Sequence, residues 1–233
     1  MAVLRLLSAG AAQAVCERII EEFQRDTGHE VEASFGAVGA MKARMAGGEP
    51  TDLIILSAPL IQDLVSAGMV AVSSVRDIGK VGTGVAVRAG TPLPEVRTRE
   101  ALRGNILAAS VIVCPDPATA TADKIVMKLM ERLGVATQVE DRMQFFPNGY
   151  AAMKWLSESS GNMELGITQN TEILPNKGVT WVGALPDEFQ MKATYTAGVA
   201  AKGMQPELAR EFVRRLTAES FRPQLRDAGY EID

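Results

Sequence analysis

Apolar residues fall along the chain in two alternating rhythms. Val3–Leu7 is a short apolar run of strand length, and Val15, Ile19, Ile20 and Phe23 follow at helical spacing, predicting a helix over about Ala11–Arg25. Gly28 stands where a left-handed C-cap would end it. Val31–Phe35 reads as the next strand. Val38, Met41 and Met45 mark a helix closed by Gly47 and Gly48, and Asp52–Leu56 is a third strand. Ser57 is placed to cap a further helix with Pro59 in its first turn. This β-α-β-α-β-α order implies a parallel sheet with helices on its faces.

A second α/β unit follows. Lys80–Arg88 is predicted as one long strand, and Thr98 caps a short helix ending at Gly104. Ala108–Cys114 is a strand. Ile125, Val126, Leu129, Met130 and Leu133 define an amphipathic helix that Gly134 stops. Met143–Phe146, Glu164–Gln169 and Val179–Val182 read as strands, with a helix over Gly149–Ser157 capped by Asn148. Met191–Ala201 alternates as a long strand, and two helices close the chain around Leu208–Leu216 and Phe221–Ala228. If the strands near 80–88 and 191–201 carry the chain across as hinges, residues 1–82 and 195–233 form one lobe and 83–194 the other. The expected fold class is α/β with two lobes, each a mainly parallel sheet flanked by helices.

Composition adds exclusions. Hydrophobic residues make up 47% of the 233 and charged residues 22%, an ordinary globular balance. The net charge of −4 argues against a nucleic-acid surface. His29, the only histidine, lies in the polar turn Thr27–Glu30, which argues against Ser-His-Asp or Cys-His catalysis. Cys16 and Cys114 are expected as half-buried thiols, and no Cys/His cluster suggests a metal. No cofactor is expected, since neither GxxxxGK[ST] nor GxGxxG after a strand occurs. No apolar run approaches about 18 residues, so no membrane insertion is expected. The start lacks a basic leader, which implies a cytoplasmic protein if Met1 is native and a periplasmic one if a signal has been removed.

Four strand-to-helix loops are built from glycine, alanine and hydroxyl residues: Ser8-Ala9-Gly10-Ala11, Gly36-Ala37-Val38-Gly39, the loop from Asp116 through Ala120 and Thr121, and Asn148-Gly149-Tyr150. Such loops leave backbone N–H groups accessible, and a helix N-terminus carries unpaired donors and about half a positive charge. They could hold an anion without arginine.

These residues, with Gly48-Glu49-Pro50-Thr51-Asp52-Leu53, Asp116-Pro117, Leu133-Gly134 and Glu164-Leu165-Gly166-Ile167, resemble the molybdate-type extracellular solute-binding proteins of the type II periplasmic-binding fold along nearly the whole chain. The resemblance implies contacts to a small anionic ligand from Ser8, Ala9, Gly10 and Ala11, from Gly36, Ala37, Val38 and Gly39, from Ala120, Thr121 and Ala122, from Asn148, Gly149 and Tyr150, and from Gln169 within Thr168–Asn170. The molybdate pattern has a serine where Ala37-Val38 stands here, and a tyrosine where Gln169 stands. Fewer hydroxyls mean fewer donors for a tetrahedral oxyanion, so a small organic acid becomes an alternative. The branch also resembles aconitate isomerases on that fold. The implied function is anion binding in a cleft between the lobes, by a monomeric component of an ABC-type transporter. The alternatives are an isomerase of an unsaturated di- or tricarboxylate and a cytosolic ligand sensor.

Overall fold

A computed structural model describes residues 1–118 and 121–232, with the side chains of 121–124 outside the description. The chain divides into two compact units, residues 1–80 with 193–233, and residues 81–192.

The first unit opens with β1 (Val3–Ala9), α1 (Gln13–Thr27), β2 (Glu30–Gly36), α2 (Val38–Ala46), β3 (Leu53–Ser57), α3 (Ala58–Ser66) and β4 (Arg76–Val81). The chain then enters the second unit through β5 (Thr83–Arg88), α4 (Arg99–Ala108), β6 (Val111–Pro115), α5 (Thr121–Leu133), α6 (Ala136–Val139), β7 (Met143–Phe146), α7 (Gly149–Glu158), β8 (Glu164–Gln169), α8 (Asn170–Ile173) and β9 (Val179–Ala184). It returns with β10 (Ala193–Val199), α9 (Pro206–Leu216), α10 (Arg222–Asp227) and β11 (Tyr230–Glu231). The sheet of the first unit runs β11-β4-β10-β3-β1-β2, and that of the second β7-β6-β8-β5-β9.

Local chemistry explains most boundaries. Leu53–Leu56 are wholly buried, as a central strand covered on both faces requires. Gly28 ends α1 in the left-handed region at φ 67°, its N–H donating to the Gln24 carbonyl, and Gly134 ends α5 at the same φ. The predicted stop at Gly104 is corrected: α4 runs through it to Ala108 because Leu102 and Ile106 are buried on one face. One interior glycine costs only about 1 kcal/mol.

The strand predicted over Lys80–Arg88 is two strands broken at Gly82, belonging to different sheets. Both halves carry buried apolar residues, so the pattern alone joined them. The Gly82 carbonyl accepts from Asn170 N–H at 2.9 Å, an interaction outside either ladder.

The sheets are mixed rather than mainly parallel. β1 is parallel to β2 and β3, and β6 to β7 and β8, but β10 runs antiparallel to β3, and β5 antiparallel to β8 and β9. The reason is topological. Tyr195 of β10 pairs with Ser57, the last residue of β3, and Thr83 of β5 pairs with Gln169, the last of β8. Each strand arriving from the other unit therefore enters where the parallel strands end, and must run against them.

The first unit closes on its returning segment. Phe23 of α1 meets Phe212 of α9 edge-on, with ring centroids 5.4 Å apart and both side chains wholly buried. Phe212→Ala should lower the unfolding free energy by about 3–5 kcal/mol in urea denaturation. A loss below about 1 kcal/mol would mean that this contact does not anchor the C-terminal helices.

Candidate functional site

In the first unit, β1, β2 and β3 end side by side. Ala9 pairs with Gly36 and Ser8 with Phe35, which brings the first two loops together. Gly10–Ala12 form a 3₁₀ turn, buried throughout, before α1 begins at Gln13. The Ala11 carbonyl accepts from the Tyr230 hydroxyl at 3.1 Å, fixing that turn. Ser8 is fully buried. Its hydroxyl donates to the Ala9 carbonyl at 3.2 Å and lies 4.0 Å from Cys16 Sγ, so its contacts are internal. Burial pushes the Cys16 thiol up to about 12.

The helix starts here share one property. Ala9 precedes the 3₁₀ turn, Ala12 is the N-cap of α1, Ala37 of α2 and Ser57 of α3, and none of the four makes a side-chain cap bond. Val38 and Gly39 form the first turn of α2, with Gly39 exposed. A missing cap leaves the first-turn N–H donors to other partners. By contrast Thr98 accepts from Ala101 N–H at the start of α4, and Asn148 from Ala151 N–H at the start of α7. The structure adds Ser57, which sequence reading assigned as a cap. It holds the N-cap position, yet its buried Oγ has no hydrogen-bond partner.

In the second unit the strand ends of β6, β7 and β8 share one edge, and β5 begins there. Asn148, Gly149 and Tyr150 open α7, and Gln169 ends β8, wholly buried. Of the third loop, Ala120 lies outside the described residues, as do the side chains of Thr121 and Ala122.

At α7 the chain supplies its own anion. Gly149 N–H donates to Glu172 Oε1 at 3.1 Å, and the Thr168 hydroxyl donates to Glu172 Oε2 at 2.5 Å. The backbone N–H groups of Tyr150 and Gln169 add to this set. A Cβ at position 149 would collide with Thr168 Oγ1 and Glu172 Oε2, so glycine is required there. Burial nonetheless pushes the Glu172 carboxyl up, and these hydrogen bonds only partly offset it.

Around this edge lie polar atoms with nothing to bond. Thr83 Oγ1, Asn170 Oδ1 and Thr171 Oγ1 are buried and have no hydrogen-bond partner. The backbone of Thr83 is meanwhile bracketed by Gln190, whose Oε1 accepts from its N–H at 3.1 Å and whose Nε2 donates to its carbonyl at 2.7 Å. Each such atom costs about 1–3 kcal/mol if left unmet.

A family model described as bacterial extracellular solute-binding protein matches residues 4–231. The chain belongs to that family. Its expected likeness to molybdate-type members holds in the fold. The periplasmic molybdate-binding protein of Azotobacter vinelandii matches with a TM-score of 0.83 at 18% identity, over 99% of each chain. The sulfate-binding protein SubI of Mycobacterium tuberculosis matches at 0.75 and 20% identity, over 99% of this chain and 86% of that one. An aconitate isomerase from a Pseudomonas species is 25% identical over 232 residues, 97% of this chain and 86% of that protein.

In this solute-binding protein the cations nearest the loops of the first unit, among the described residues, are already committed. Lys42 pairs with Asp63 at 2.6 Å. Arg44 pairs with Glu49, and its Nη2 also donates to Ser34 Oγ at 3.2 Å. The Arg44 guanidinium holds the Glu49 carboxyl below the usual carboxylate range. Attraction for an anion at the first unit's loops therefore falls to peptide N–H groups and hydroxyls. Among the described residues no cluster of three or more His, Cys, Asp or Glu could hold a metal, and no helix is long and apolar enough to cross a membrane. Cys16 and Cys114 are buried and in no disulfide.

The raised Glu172 carboxyl predicts a pH signature. The folded state holds its proton more tightly than the unfolded chain, whose value is near 4.5. Its stabilising contribution is thus complete below about that pH and is lost as pH rises through the raised value. Glu172→Gln removes the titration. Its stability relative to wild type should be constant below about pH 4.5, rise as pH passes through the raised value and level off above it in urea denaturation. A difference independent of pH would show that the carboxyl is not strained by burial.

Proposed function

We propose that this protein is an exported binding protein for a small organic anion, held on the loop edges of its two units and passed to the membrane subunit of an ABC-type transporter. The observation that carries the reading is the set of uncapped helix starts at Ala9, Ala12, Ala37 and Ser57, with the unmet polar atoms of Ser57, Thr83, Asn170 and Thr171. Buried polar groups without partners are expected where a ligand completes them. The names of the molybdate- and sulfate-binding structures support an anion.

Two features favour an organic acid over a bare tetrahedral oxyanion. Ala37 and Val38 offer no hydroxyl in the second loop. Asn170 Oδ1 can only accept a hydrogen bond, which a fully ionised oxyanion cannot give. A hydroxyl or carboxylic acid group on the ligand can. In this reading the chain crossings at 80–88 and 191–201 act as hinges, with Ser8–Ala11, Gly36–Gly39, Ala120–Ala122, Asn148–Tyr150 and Gln169 around the ligand.

The aconitate isomerase relative favours a second reading, proton transfer between carbons of an unsaturated tricarboxylate. Among the described residues of the second unit, Glu172 is the buried acid that could take and return a proton.

Thermal-shift measurements with molybdate, tungstate, sulfate, citrate, cis-aconitate and trans-aconitate test both. An organic acid at a hundred times its Kd should stabilise by about 2.7 kcal/mol and raise Tm by roughly 5–10 °C. Interconversion of the aconitates, followed by proton NMR, would establish the isomerase. Silence from all six anions would end the proposal.

Ala37→Asp sharpens the test. The new carboxylate would cap α2, keeping or raising stability by about 1 kcal/mol, while occupying the donors the ligand needs. Binding should fall at least about tenfold. Unchanged affinity in a folded variant would remove the α2 start from the site.

A further inference from the structure

The second unit carries a further cavity at the opposite edge of its sheet, where β5 ends and β8 begins. It measures about 400 Å³ and is walled by Val87, Pro92, Leu93, Pro94, Met163 and Leu165. Arg88, Asn105 and Glu164 supply its polar groups.

Three observations set this cavity apart from a chance hollow. First, Arg88 is under-used. Its Nε is buried with no hydrogen-bond partner, and its Nη2 makes one long bond, 3.4 Å to the Gly161 carbonyl. Among the described residues it has no carboxylate partner. Glu164 lines the same cavity but is engaged by the Ser159 hydroxyl and forms no ion pair with Arg88. A half-buried guanidinium with an orphaned N–H is a costly arrangement unless an acceptor arrives.

Second, Met163 sits in the left-handed region at φ 57°, the one non-glycine residue with positive φ among those described. That conformation costs of order 1–2 kcal/mol. It is held by the chain on both sides: Ser110 N–H donates to the Met163 carbonyl at 2.9 Å, and the Ser110 hydroxyl to the Asn162 carbonyl at 2.5 Å. Third, Leu93 and Met163, which line the cavity, are exposed, each 59% open. Apolar walls around one unsatisfied cation match an amphipathic molecule with a negative head.

We propose that this cavity is a second ligand site, for a small monocarboxylate with an apolar tail. Its carboxylate takes the Arg88 guanidinium and its tail lies against Leu93, Pro94 and Met163. The site is independent of the anion site at the other edge, because no residue is shared between them.

Hexanoate is the probe, with hexylammonium as the charge-reversed control. The full chain carries methyl-labelled methionine, so the Met163 methyl reports by NMR. Hexanoate should shift that methyl saturably, and hexylammonium should bind at least about tenfold more weakly. Arg88→Gln should weaken hexanoate about tenfold or more, and Leu93→Asp should weaken it by repulsion at the rim. Neither should change the response to the six anions tested above, so failure here is distinguishable from failure there. Equal binding of hexanoate and hexylammonium to the wild-type chain overturns the proposal even if Arg88→Gln does not fold. So does a Met163 methyl that hexanoate leaves unmoved.

Discussion

A peptide N–H at the start of a helix must find an acceptor, and at α1, α2 and α3 the sequence declines to provide one from the cap. Alanine stands at three of the four positions where serine, threonine or aspartate would close the account, and the serine at the fourth turns its hydroxyl away. The same chain caps α4 with Thr98 and α7 with Asn148, while α9 and α10 also start without a side-chain cap bond; what sets α1, α2 and α3 apart is that they follow β1, β2 and β3 in turn, so their starts gather at one edge. Capping is worth about 1 kcal/mol per helix. Three helices left uncapped at one edge amount to stability forgone where an external anion could restore it.

The second unit resolves the same constraint differently. Glu172 brings a carboxylate to the N-terminus of α7, and Gly149 is glycine because any larger residue would strike it. Glu172 thereby gives the Gly149 N–H at that helix start an acceptor from within the chain. It also leaves the unmet atoms of Thr83, Asn170 and Thr171 as the open valences of that edge. The first unit thus offers peptide N–H donors and the Ser57 hydroxyl, the second two hydroxyls and an amide oxygen.

The extent to which this was legible in the sequence follows the range of the interactions. Gly28, Gly134, Thr98 and Asn148 act within one turn of their own positions, and each was read correctly. The apolar rhythm of β3 and α5 was equally plain. Ser57 misled because a serine before Ala-Pro has the pattern of a cap, whereas here its buried hydroxyl makes no cap bond. Thr83 gains meaning from its pairing with Gln169, and Glu172 from its approach to Gly149, both remote in sequence. Within the short segment Asn170-Thr171-Glu172 nothing announces a buried acid, since Glu is ordinarily an exposed helix former. The break at Gly82 was hidden because strands of two sheets can be buried alike.

The antiparallel entry of β5 and β10 ties these points together. A strand that enters at the edge where parallel strands finish delivers its first residues into the loops of that edge. Thr83, first in β5, carries one of the unmet polar atoms, its hydroxyl, and the Gly82 carbonyl just before it accepts from Asn170 N–H, on the residue whose amide oxygen is another. In the first unit Tyr195, near the start of β10, lies opposite Ser57. The segments by which the chain leaves one unit for the other are therefore bonded neighbours of the groups that await an acceptor or donor. A ligand that bonded to Thr83 or Asn170 would bond at the segment where the chain passes from the first unit into the second. Replacing Gly82, Thr83 or Asn170 would therefore alter that segment and the unmet groups together.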